Sequence, residues 1–127
     1  MILIIERDAS LRQALELYLE SLGHVVRSAT DSLTAVRAFG RQFGEFRIVL
    51  IDADQTPEAL RTLRGFRSLN EELGFIVTHG FGSGGSMNLS FLSGLNPHDP
   101  KGIRIRFVRK PYEPRVIQAA LEDLLTR

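Results

Sequence analysis

No cysteine occurs in the sequence, which excludes a disulfide framework and a thiolate metal centre. There is also no long apolar run and no signal-like start, so a cytoplasmic module without membrane contact is expected. Charge of one sign does not accumulate: 16 basic and 15 acidic residues are spread along the chain and leave a formal charge of +1. That balance lacks the polybasic arm of a nucleic-acid binder. Arg104, Arg106, Arg109 and Lys110 gather near the C-terminus, but strand alternation divides them between two faces, and no direct nucleic-acid contact is expected. No serine sits in a G-x-S-x-G elbow, and His24, His79 and His98 have neither triad nor metal-ligand spacing, which sets a hydrolase aside.

What remains is an ordinary globular composition. With 127 residues, 43% hydrophobic and 24% charged, the chain has the makings of one domain over 1–127 with a real core. Strand-like and helix-like patterns alternate along it. Continuous apolar runs at 2–5 and 48–51 suit strands buried on both faces, whereas 103–108 alternates with arginine, as an edge strand does. Shorter strands are expected at 24–29 and 75–78. Between them lie helices carrying Leu11, Leu15, Tyr18, Leu19 and Leu22; Leu33, Val36, Phe39 and Phe43, capped by Asp31 or Ser32; and Leu60, Leu63, Phe66 and Leu69, with Thr56 as cap and Pro57 at the first position. Pro114 starts a last helix with Val116, Ile117, Ala120, Leu121 and Leu124. Two central strands, one edge strand and right-handed crossovers give a doubly wound α/β fold, a five-stranded parallel sheet in the order 2-1-3-4-5.

Open sheets of this kind bind and react at the carboxyl ends of their strands. That edge collects Glu6, Arg7 and Asp8 after the first strand, Asp52 after the third, Thr78 on the fourth and Lys110 after the fifth.

In this order "ILIIERD", "IVLID", "FIVTHG" and "FVRKPY" resemble the site of the CheY-like receiver domains of two-component response regulators, most of all those attached to hybrid histidine kinases. The resemblance covers nearly the whole chain apart from about twenty residues before the fifth strand. It implies a flavodoxin-like fold and a module that is not itself an enzyme. It implies that Asp52 is the nucleophile that accepts a phosphoryl group from a histidine kinase or phosphotransfer protein, with Lys110 the fixed cation on the phosphoryl oxygens and Thr78 the hydroxyl donor, for a downstream protein or a covalently linked output domain to read. Glu6, Asp52 and Asp54 would hold Mg²⁺, with Asp8 a further candidate, and Thr78 and Phe107 would form the switch.

Two departures stand out. Arg7 occupies a position where the family has a metal-binding carboxylate, and a guanidinium there lowers the expected Mg²⁺ affinity. The alternative is a phosphorylation-independent pseudo-receiver in which Arg7 replaces the metal. The second departure is the 80–102 segment, with glycines at 80, 82, 84, 85 and 94, where the family has a helix; a mobile, irregular connection is expected. Its run Gly80-Phe81-Gly82-Ser83-Gly84-Gly85 loosely matches a dinucleotide fingerprint. The run follows the wrong strand, opens no firm helix and has no suitably placed acid, so no nucleotide cofactor is expected.

Overall fold

The computed structural model describes residues 1–56, 58–80 and 104–126. The expectations about the glycine-rich segment beyond Gly80, about Pro57 and about a strand start at Ile103 lie outside them. Five strands form one parallel sheet: β1 (Ile2–Ile5), β2 (Val26–Ala29), β3 (Ile48–Asp52), β4 (Gly74–His79) and β5 (Arg104–Arg109), in the order β2-β1-β3-β4-β5. Among the described residues the α-helices are α1 (Ala9–Ser21), α2 (Ser32–Phe39), α3 (Ala59–Leu69) and α4 (Pro114–Leu125). Among the described residues no helix is long and apolar enough to cross a membrane.

The continuous apolar runs read as two interleaved sets. In β1, Leu3 and Ile5 enter one core while Ile2 and Ile4 enter the other, and β3 divides in the same way between Val49 and Ile51 on one side and Ile48 and Leu50 on the other. The first core is aromatic: Phe43 stacks on Phe66 at 5.2 Å between ring centroids and meets Phe46 edge-on at 5.5 Å. The opposite core is built of aliphatic side chains from α1 and α4. Both faces of the three middle strands are therefore dry, which is why these strands do not alternate with polar residues.

The helices show less of their apolar residues to the sheet than the sequence pattern implies. Leu22, Leu33, Val36, Leu69 and Val116 are exposed, although they fall on the expected apolar stripes. The correction in α2 has a geometric cause. Ala35 faces the core, and a 3-10 turn over Gly40–Glu45 tightens the chain so that Phe43 turns inward after it. Helix α2 is capped by Asp31, whose carboxylate accepts from the Thr34 N–H at 2.8 Å.

The start of α3 also differs from expectation. Thr56 does not cap it, because its hydroxyl donates to the Asp52 carbonyl at 2.8 Å; a 3-10 turn over Ala53–Gln55 intervenes, and Glu58 takes the cap position in the left-handed region at φ 54°. Edge strand β5 spends its arginines on packing. Arg104 donates to the carbonyls of Leu124 at 2.7 Å and Glu72 at 2.5 Å, and Arg106 pairs with Asp123.

Leu63 and Leu69 lie on the same helix, but only Leu63 is buried. Leu63→Ala is expected to lower unfolding stability by about 2 to 5 kcal/mol, and Leu69→Ala by no more than ~0.5 kcal/mol, in parallel denaturant melts.

Candidate functional site

Strand β3 carries no polar side chain until its last residue. There Asp52 is only 2% exposed, with Thr78 beside it at 4% on β4 and Glu6 at 4% just beyond β1. Carboxylates this deep need donors. Asp52 Oδ1 accepts the Asp54 N–H at 2.8 Å, and Oδ2 takes the Lys110 ammonium at 2.6 Å. Lys110 also reaches Asp54 Oδ2 at 3.0 Å. The lysine is positioned by its own backbone, whose N–H donates to the His79 carbonyl at 2.7 Å, and its peptide bond to Pro111 is cis. Lys110 thus reaches Asp52, and Thr78 is the register partner of Asp52 on β4.

Glu6 is satisfied differently. Its Oε1 accepts the Asp8 N–H at 3.1 Å and the Gln55 carboxamide Nε2 at 2.7 Å, and the same Nε2 lies 3.4 Å from Asp52 Oδ2. The other end of that carboxamide accepts the Arg7 N–H at 2.9 Å. Arg12 donates to the Glu6 carbonyl at 2.9 Å, not to its carboxylate. The Asp8 side chain caps α1, its Oδ1 accepting from Leu11 N at 3.1 Å.

Arg7 itself is exposed and makes no ion pair with Asp52. Its side chain lines a cleft of about 220 Å³ together with Thr30, Asp31 and Gln55. The Asp31 carboxyl there is held below its ordinary value, chiefly by the Thr34 N–H, with the Arg7 charge a smaller contributor. The cationic partner of Asp52 is Lys110 alone among the described residues.

The same hydrogen bonds decide how the acids stand toward a divalent ion. Glu6, Asp52 and Asp54 are engaged by Gln55 and Lys110, and among the described residues no three His, Asp or Glu side chains converge closely enough to hold a metal. As arranged, this donor set does not fit Mg²⁺. Phe107, the expected switch aromatic, is 36% exposed and meets the His79 ring edge-on at 6.2 Å.

At the sequence level no family model and no curated protein matches the chain. Solved structures do. A response regulator receiver domain from Clostridium thermocellum superposes with a TM-score of 0.79 at 21% identity, covering 99% of this chain and 94% of that one. The chain has the receiver-domain fold. A response regulator from Thermotoga maritima follows at 0.76 and 14% identity over 99% and 97% of the two chains. The Vibrio cholerae chemotaxis protein CheY4 follows at 0.74 and 16% over 97% and 96%.

Two residues that shape this site carry no obvious sequence signal. Gln55 is one polar residue in a polar break. Gly80 was legible only as the start of a glycine-rich stretch, yet a Cβ on it would stand 2.8 Å from Asp54 Oδ2, so its bare backbone is what admits that carboxylate to Lys110. Gly80→Ala is expected to push the short Asp54 side chain aside rather than unfold the protein. Stability should fall by less than ~1 kcal/mol while the Asp54 carboxylate resonance moves toward a solvated shift.

Burial pulls the Lys110 ammonium down, but hydrogen bonds and charges from Asp52 and Asp54 outweigh it and raise the group above its ordinary value. Tyr112 is also pushed up, first by burial and then by the charges of Glu6 and Asp52. In both cases the folded state holds the proton more tightly, so the stabilisation is complete below the unfolded values near ~10 and is lost as pH climbs through the folded ones. Denaturant midpoints are therefore expected to fall as pH rises above about 10. Lys110→Met should flatten that decline, while near neutral pH it costs roughly 3 kcal/mol by stranding the Asp52 charge.

Proposed function

We propose that this chain is the receiver module of a two-component phosphorelay, accepting a phosphoryl group on Asp52 from a phosphohistidine donor. The observation that carries this reading is the buried Asp52 carboxylate held at 2.6 Å by Lys110, with Thr78 on the adjacent strand. In the transfer an Asp52 oxygen attacks phosphorus as the phosphorus–nitrogen bond to the donor imidazole breaks, and the imidazole takes up a proton as it leaves. Lys110 then exchanges its pairing with the carboxylate for one with the phosphoryl oxygens, and Thr78 donates its hydroxyl to them. Phe107, beside His79, is the aromatic that reports the change by reorienting.

The donor is a histidine kinase or phosphotransfer protein, and the output is a separate protein or a linked domain. Two features of the neighbouring structures and of this surface support this. In NtrX from Brucella abortus the part like this chain is 26% of the whole protein. On this chain the exposed Phe107 and Val116 leave apolar surface for a partner near the site.

A second reading is supported by the Gln55 carboxamide between Glu6 and Asp52, although the Arg7 side chain turns away from the site: a pseudo-receiver that signals by constitutive contact.

Incubation with acetyl phosphate and Mg²⁺, followed by intact-mass measurement, separates the readings. The expected outcome is one added phosphoryl group, absent in Asp52→Asn and more abundant in Arg7→Asp, which exchanges a fixed cation for an oxygen ligand. Absence of the added mass in both the native chain and Arg7→Asp decides for the pseudo-receiver.

A further inference from the structure

Two buried carboxylates face one crevice, but only one has a cation. Lys110 neutralises Asp52 and reaches Asp54, while the Glu6 carboxylate has no cationic partner among the described residues. What bridges Glu6 to Asp52 is a neutral group, the Gln55 amide. Its orientation follows from its partners: turning it over would set its carbonyl oxygen against Glu6 and its NH₂ against the Arg7 N–H.

We infer that Gln55 is a latch on this crevice, a positioning residue whose carboxamide fills the gap between Glu6 and Asp52 and admits a divalent cation only when it swings out. The amide supplies the donors that a cation would otherwise replace, so ion and latch compete for the same oxygens. The swung-out position also has a place to go. Gln55 itself lines the cleft of about 220 Å³ beside Arg7, Thr30 and Thr56, which leaves room for a displaced carboxamide. The latch and the Arg7 substitution are separate devices, because Arg7 holds Gln55 through its backbone N–H and not through its guanidinium.

The inference rests on reading this crevice as a phosphoacceptor site, but its readout is cation binding, so the two fail independently. Mg²⁺ titration by NMR is carried out on the native chain, Gln55→Ala and the similarly sized Gln55→Met, which keeps bulk and cannot donate. Both variants are expected to bind Mg²⁺ about tenfold more tightly, the equivalent of one hydrogen bond to a charged acceptor. The gain should persist in an Arg7→Asp background and vanish when Glu6→Gln is added. In the native chain the Gln55 side-chain amide resonances should move in step with Mg²⁺ binding. Equal affinity in all three proteins, or Gln55 amide resonances that stay put while Mg²⁺ binds, overturns the latch. If neither variant folds, the native amide resonances decide alone. Tighter Mg²⁺ binding without any phosphorylation sustains the latch and removes the phosphoacceptor reading.

Discussion

A carboxylate cannot be buried without partners, and two of them close together demand more. Glu6 and Asp52 end adjacent strands that are otherwise wholly apolar, so the sheet delivers both to the same dry edge. Much of the structure around that edge follows from meeting their demand. Strand β5 must place Lys110 within reach. The 3-10 turn after β3 must aim the Asp54 N–H back at Asp52 and lay Gln55 across to Glu6. Helix α1 must start where the Asp8 N–H can serve Glu6 while the Asp8 side chain serves the helix. Loss of any of these donors strands a charge, which couples elements far apart in the chain.

The sheet was legible because burial on both faces leaves a mark: continuous apolar runs at β1 and β3 against the arginine-interrupted β5 are enough to order the strands. The placement of Asp52, Lys110 and Thr78 at one sheet edge was legible for the same reason, since strand ends carry whatever follows an apolar run. The direction of Arg7 was not legible. A sequence position says which strand end a residue occupies but not which way a long, flexible side chain turns, and Arg7 turns toward Asp31 and the cleft. Gln55 and Thr56 were missed because their roles arise from a tight turn that no periodicity announces. The exposure of Leu33, Val36 and Leu69 has another cause: an apolar stripe on a helix is wider than the line along which that helix touches a sheet.

Likeness of shape goes with little likeness of sequence here. At 21% identity the fold of the Clostridium thermocellum receiver domain is retained over almost the whole chain. The shape needs only apolar residues in two alternating sets, which many sequences supply. Function depends instead on a few donors and acceptors at one edge. At that edge this chain sets a glutamine carboxamide between two acids and an arginine next to one of them.

The two cores also differ in what light they absorb. The sequence has no tryptophan and two tyrosines, and both tyrosines pack against the aliphatic core of α1 and α4, whereas the stacked phenylalanines lie across the sheet. Tyrosine emission is therefore unmasked and reports on one side of the molecule. Tyr112 feels the charges of Glu6, Asp52 and Lys110, so part of that emission arises beside the crevice.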